Sequence, residues 1–336
     1  MAVCKLNQRW WCATFLFAGV LPGILLAKPV VPFFSFNQSP VIQVHNLPAI
    51  GSAGILNEAR ARYRLVNDLI SNYTRRNTAN ENLLFDGETN RSTFEYSRGT
   101  GEGWEWGVQI PYINHDGGSL DGFIEDWHST FGLPKGGRNV APRNQLRYFY
   151  QRNGVTQLLL DNATSGIGDV RLTAGWQWPE TGKNTRLAIR SSLSLPTGDS
   201  GQLRGSGAME AALWATADRT RPWFDYPGSV FAGGGLLFMG KGDVLADQQR
   251  RVAVFASVGA GAQVLPWMTL KLQADVNGPF YDDSDLRQIN STAVQLLMGG
   301  DIRLAKNVWL DVMVGEDLTV HASPDVVFHL SLTMEE

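Results

Sequence analysis

The feature that most constrains this 336-residue chain is the period of its hydrophobicity, which is two over most of its length. In one segment Trp104, Trp106, Val108, Ile110 and Tyr112 alternate with Glu105, Gly107 and Gln109. In another, Met268, Leu270, Leu272, Ala274 and Val276 alternate with Thr269, Lys271, Gln273 and Asp275. The stretches Ile167–Trp178, Asn184–Leu195, Arg251–Val264 and Val326–Met334 repeat the pattern. Successive side chains of a strand point to opposite faces, so each segment offers one apolar and one polar face. A soluble sandwich would also alternate, but three details favour a membrane barrel. The segments run about ten residues, the length of a tilted bilayer crossing. Their polar faces carry Arg, Lys, Asp and Gln, which a wet lumen tolerates. Trp and Tyr gather at the segment ends (Trp104, Tyr112, Trp178, Trp223, Tyr226, Trp267), where interfacial girdles sit. Beyond the N-terminus no long apolar run occurs, so a mature chain enters a membrane only as a closed barrel.

The remainder of the composition agrees. Charged residues are 18% of the chain, against 36 glycines and 11 tryptophans, a balance unusual in a cytosolic enzyme. Lys5 and Arg9 precede the apolar run Trp10–Leu26, the n-region and h-region of a secretory signal, with cleavage expected after Ala27. An uncleaved anchor is the alternative, since the run is barely long enough to span. Both cysteines, Cys4 and Cys12, lie inside this signal, so the mature chain is expected to lack disulfides, thiol nucleophiles and Cys-based metal sites. Losing Lys5 and Arg9 takes the formal charge from −3 to −5, which argues against nucleic acid as a partner.

The expected architecture is all-β: a transmembrane antiparallel barrel over residues 53–336, behind a 1–27 signal peptide and a 28–52 extension. That extension is rich in Pro and apolar residues and reads as an extended segment, either tucked into the lumen or lying along the periplasmic rim; a loosely ordered lead-in is the alternative. Fourteen strands are expected, at 53–66, 88–98, 104–112, 144–151, 155–160, 167–178, 184–195, 207–218, 229–239, 250–264, 267–277, 289–304, 307–316 and 325–334. The weakest are 53–66, which has helical features, and the short 155–160; if either fails, twelve is the count. Connections alternate between tight and long, as periplasmic turns and outer loops do, which puts both termini in the periplasm of a cell with an outer membrane.

One stretch breaks the strand period. Within Gly117–Arg138, Leu120, Phe123, Ile124, Trp127 and Phe131 fall at helical spacing. Ser119 stands as N-cap, Asp121 lies in the first turn, and Gly132 and Pro134 supply the stop. A short amphipathic helix is therefore expected in the long loop after the third strand, its apolar residues seated on the barrel.

This stretch, GGSLDGFIEDWHSTFGLPKGGR, together with SGIGDVRL (Ser165–Leu172), LSLPTGD (Leu193–Asp199) and GSGAME (Gly205–Glu210), resembles a bacterial family of uncharacterised proteins, the domain of unknown function 3187 family. The likeness runs over most of the mature chain. More loosely, GIGDVRL and LPTGD resemble outer-membrane proteins of the meta-pathway phenol degradation type, described as transporters. The resemblance implies an outer-membrane barrel, with lipid and the barrel-assembly machinery as partners, and brings no established activity. One departure is the C-terminus, Leu332-Thr333-Met334-Glu335-Glu336, where such barrels commonly end in Phe.

Asp121, Glu125 and His128 lie within about 40° of one another on a helical wheel and form one polar stripe. Such a stripe suits a divalent cation or an acid/base pair; the bland reading, which outweighs them, is a face turned to lumen water or paired with wall arginines. Asp126, His128 and Ser129 are the residue types of a hydrolase, but adjacent side chains on a helix diverge by about 100°, so no triad is assigned. Arg171, Arg186, Arg190, Lys271, Arg303, Asp169, Asp275 and Asp301 are expected to face the lumen, as a charged constriction or as wall salt bridges. His45, His115, His321 and His329 are scattered and stay unassigned. No catalytic residue, metal or cofactor is expected. The leading reading is a channel or transporter-like barrel for a small solute, with the loop helix as its gate or plug. The alternatives are a lipid-acting outer-membrane enzyme, or a structural barrel with no solute path.

Overall fold

A computed structural model describes residues 29–120, 122, 143–179, 182, 184–223, 225–319 and 322–336. Its strands are β1 (Ala61–Asn77), β2 (Glu81–Gly101), β3 (Trp104–Asp116), β4 (Arg147–Arg152), β5 (Val155–Leu160), β6 (Thr164–Ile167), β7 (Val170–Gln177), β8 (Thr185–Leu195), β9 (Glu210–Thr220), β10 (Gly228–Met239), β11 (Val252–Leu265), β12 (Met268–Asn277), β13 (Ala293–Ala305), β14 (Val308–Asp317) and β15 (Val326–Glu335). Neighbours pair antiparallel from β1 through β2, β3 and β7 to β15, and β15 returns to β1 along Arg62↔Glu335 to Ser71↔Val326. The sheet has closed on itself. Closure removes the free edges that an open sheet would leave unpaired.

The closed ring has twelve staves, which corrects the expectation of fourteen and agrees with the alternative of twelve. The two surplus strands are real but are not staves. β4 and β5 have six residues each, about 20 Å at 3.3 Å per residue, too short for a tilted crossing. They form a hairpin on the overhang of β2, where Glu81–Asp86 pairs with Arg152–Arg147 after β2 has outrun β3. β6 likewise continues β7 along β3, separated from it by Gly168 and Asp169. The 53–66 segment is β1 only from Ala61 onward. The helix expected at Leu120–Phe131 falls almost wholly outside the described residues.

Two ends are distinguishable. At the turn end β2–β3, β11–β12 and β13–β14 are joined by two residues each, at 102–103, 266–267 and 306–307, and the chain enters β1 and leaves β15 there. The loop end carries the long connections, among them 196–209 and 278–292. The first of these is tied down by Asp169: its carboxylate accepts the backbone N–H of Gly198 at 2.8 Å and of Ser206 at 3.0 Å. Thr197 adds a hydroxyl donated to Gly168 O at 2.9 Å. The GIGD, LPTGD and GSGAME strings are thus three sides of one knot.

Outside, the alternation leaves a belt of exposed apolar side chains, including Leu65, Trp106, Leu172, Leu213, Val254, Leu272 and Leu330. Inside, residues 30–56 are mostly buried. This segment enters at the turn end, climbs to the loop end, turns over a short 3-10 turn at Gln43–His45, and descends to begin β1. Asn46 closes that turn with φ 51°, a left-handed conformation that Asn accepts better than most residues. Glycines on the inner wall make room for it. An added Cβ at Gly99 would stand 2.1 Å from Asn57 O, and one at Gly261 would stand 2.8 Å from Val30 Cγ1.

Candidate functional site: the strapped lumen

Whether a polar lumen can bind or pass a solute depends on what occupies it. Here the filling is the chain's own residues 29–57, a strap held by side chains of the wall that bond to the strap's backbone. The ascending limb is fixed where Val30 N donates to Ser229 Oγ at 2.7 Å and Phe33 N to Gln273 Oε1 at 2.9 Å. Asn37 Nδ2 reaches Asn277 Oδ1 at 3.0 Å. The descending limb is fixed where Trp214 Nε1 and Thr216 Oγ1 donate to Ile50 O at 2.9 and 2.7 Å, and where Leu56 N donates to Glu105 Oε2 at 3.0 Å. Buried backbone groups must be paired, and these bonds pair them without a strand ladder.

The crest of the strap carries the densest polar contacts. His45 Nδ1 lies 2.6 Å from Glu210 Oε1, and its Nε2 lies 2.7 Å from the Tyr281 hydroxyl. Tyr281 donates its proton to Val41 O at 2.8 Å, so Nε2 is the donor to the phenol oxygen. At 2.6 Å one more proton must lie between Nδ1 and Glu210. Tyr281 stands in the β12–β13 connection, where burial and then the Glu210 charge push its phenol well above the ordinary range. Next to His45, Asn46 Nδ2 donates to Asp169 O at 2.9 Å and Ser194 Oγ at 3.0 Å, while Arg91 donates to its side-chain oxygen at 3.1 Å and Arg171 to its carbonyl.

The eight charges expected in the lumen are placed as follows. Asp169 and Arg171 are buried at the crest, as above. Arg190 is paired with Glu105 at 3.2 Å and also reaches Gly54 O at 3.4 Å. Arg186 is paired with Asp218, its Nε lying 3.1 Å from Oδ1. Lys271 sits between Asp301, at 3.6 Å, and Asp311; it also donates to Val31 O at 3.2 Å and lies 4.4 Å from the centre of the Phe33 ring. Asp275 accepts from Gln273 Nε2 at 2.8 Å. Arg303 is exposed at the turn-end rim and donates to Ala305 O and Lys306 O. Asp169 and Arg171 meet through Asn46, Lys271 pairs with Asp301, Arg186 and Arg303 line the same turn-end cavity as that pair, and Arg190 and Asp275 stand apart on the wall. Of the stripe and seat on the loop, Asp121, Phe123, Ile124, Glu125, Trp127, His128 and Phe131 lie outside the described residues. Leu120 is described, and its N–H donates to Glu88 Oε1 at 2.6 Å.

Several contributors have no forewarning in the pattern of any single strand. His45, Asn46, Glu210 and Tyr281 come from three separate parts of the chain. Of the other described histidines, His329 pairs with Asp68 at 2.6 Å and His115 bonds Thr89 at 2.8 Å; His321 lies outside the described residues. No group of His, Cys, Asp and Glu able to hold a metal occurs among the described residues. One set did carry a signal: Arg60, Arg62 and Arg64 alternate at strand period and line the turn-end mouth of the lumen.

A family described as "Protein of unknown function (DUF3187)" matches residues 20–335. The chain belongs to the DUF3187 family. No curated protein matches this DUF3187 member by sequence. Among solved structures, it is similar to the COG4313 outer membrane channel from Pseudomonas putida F1, with TM-score 0.55 and 12% identity over 84% of this chain and 98% of that one. It is also matched to the NanC porin (TM-score 0.45, 5% identity, 81% and 98% covered) and to the P. putida toluene transporter TodX (TM-score 0.37, 10% identity, 83% and 89% covered). At these identities the first likeness establishes the barrel fold of the DUF3187 chain, and the other two add no argument.

Proposed function

We propose that the protein is an outer-membrane channel for a small solute, closed in this conformation by its own N-terminal strap. The observation that carries the reading is the combination of an apolar exterior with a lumen filled by a removable segment. Exposed side chains such as Leu270, Leu272 and Val258 are half or more accessible, and a belt of that kind exceeds what a soluble monomer leaves in water. In hydrocarbon the same belt is the expected surface of a barrel. The strap belongs to no strand of the wall, so its departure would leave the twelve-stave ring intact. The turn end, with its short connections and both chain ends, is read as periplasmic. Lipid and the barrel-assembly machinery are the partners this placement requires, and the solute is the ligand. No catalytic role is assigned.

Planar-bilayer conductance tests the reading. The intact protein is expected to give low, intermittent conductance, and a variant lacking residues 30–54 a conductance several-fold larger. A deletion variant that folds and inserts yet passes no more current than the intact protein would favour a structural barrel.

A further inference from the structure

Between the two limbs of the strap at the turn end lies a cavity of about 350 Å³. Its walls come from both limbs, at Val30–Val31 and Ser52–Asn57, and from seven staves, β1, β8 and β11 to β15. The size falls at the lower end of sites that enclose small organic molecules. Two properties distinguish it from the crest of the lumen, where the charged side chains are buried.

The first is its charge. Six cationic side chains line it, Arg60, Arg62, Arg64, Arg186, Lys271 and Arg303, against three carboxylates, Asp301, Asp311 and Glu335. That excess stands in a chain whose overall charge is −3. The carboxylates that pair Arg64 and Arg186 are Glu95 and Asp218, neither of which lines the cavity. Those two pairs therefore turn their positive ends toward it. Arg60 and Arg303 have no carboxylate partner among the described residues; Arg303 gives Nε to Ala305 O and Nη2 to Lys306 O, which leaves the Nη1 donors of its guanidinium. A concave wall of one sign concentrates ions of the other, because low-dielectric walls focus the field.

The second is its apolar lining. Val31, Ile55, Pro266, Trp267, Met268 and Trp309 share the cavity with the cations. Trp309 lies on the same face of β14 as Asp311, which pairs with the inward Lys271 over the intervening β13, so its ring belongs to the inner wall. A bare inorganic anion would gain nothing from these side chains. A neutral apolar solute would gain nothing from Arg60 and Arg303.

We propose that this vestibule binds a small organic acid, its carboxylate held by Arg60 and Arg303 and its apolar body set against Trp309 and Val31. The proposal deepens the channel reading by naming the class of solute, and it rests on that reading only for how the solute arrives. Because Val31 and Ile55 belong to the two limbs of the strap, an occupant would touch the plug as well as the wall.

The test is binding to the purified full-length protein in detergent micelles, by calorimetry, with benzoate, benzyl alcohol and inorganic phosphate as probes. Benzoate is expected to bind at least fivefold tighter than either of the others. The Arg60→Gln/Arg303→Gln variant is expected to weaken benzoate at least fivefold and to leave benzyl alcohol unchanged, and its unchanged mobility on unheated gels would certify an intact barrel. Equal affinity for benzoate and benzyl alcohol would overturn the proposal, as would phosphate binding as tightly as benzoate, or a folded variant that keeps the parent affinity. Conductance is read separately: a protein that binds benzoate but never conducts defeats the channel reading alone, and one that conducts without discriminating the probes defeats this proposal alone.

Discussion

His45 Nδ1 lies 2.6 Å from Glu210 Oε1, with neither side chain more than 1% exposed. One partner belongs to the strap and the other to the first residue of β9, so the pair fastens the crest of the plug to the wall. A hydrogen bond to a charged or shared-proton partner in a dry site contributes about 1.5–3 kcal/mol, more than a neutral one.

Glu210→Gln keeps the shape of the side chain and removes its charge. Amide exchange of a peptide covering residues 41–50 is expected to speed up roughly tenfold to a hundredfold, the equivalent of that bond energy. Peptides from β11 and β12 should exchange as before. Unchanged protection at the crest would mean that the Asn46 contacts alone hold it.

At Gly99 the strap passes so close that a methyl group would collide with two backbone carbonyls, Asn57 O at 2.1 Å and Leu56 O at 2.5 Å. Neither can swing aside as a side chain can. Gly99→Ala is therefore expected to lift the descending limb from the wall, read as new protease cleavage within residues 50–58. A variant as resistant as the parent would show that the seat is looser than the contact implies.

Arg190 and Glu105 are about 8–9% exposed and pair at 3.2 Å, and Glu105 also receives Leu56 N–H. Removing one partner strands a buried charge, at a cost of about 3–5 kcal/mol. Glu105→Ala should destabilise the barrel by that order in urea unfolding. The Glu105→Ala/Arg190→Met double variant should lose clearly less than the sum of the single losses. Strict additivity would mean that the pair is not coupled.

The exterior belt gives a prediction about solvent. Leu272 is 51% exposed at the middle of β12. In a bilayer, Leu272→Arg should cost about 2–4 kcal/mol, as a cation does at the midplane of a lipid-facing strand. Measured by unfolding from lipid vesicles, a cost near zero would place this face in water and remove the membrane reading.

The sequence by itself determined the class of fold. A side-chain period of two is a local property of a strand, so the outward faces of Trp104–Tyr112 and Met268–Val276 were legible residue by residue. The inward placement of Lys271 and Asp275 follows from the same parity. Strand number was less legible: alternation in 144–151 and 155–160 marks a strand wherever it pairs, and only the overhang of β2 decided that these two form a hairpin beside the ring. The site was the least legible. What fills the lumen depends on bonds between residues far apart in the chain, such as His45 with Glu210, separated by 165 positions, and Phe33 with Gln273, separated by 240. No local pattern encodes those pairings, because a strap without a ladder takes its hydrogen bonds from whichever wall side chains the closed ring brings to it. The ring supplies the partners, and only tertiary structure closes the ring.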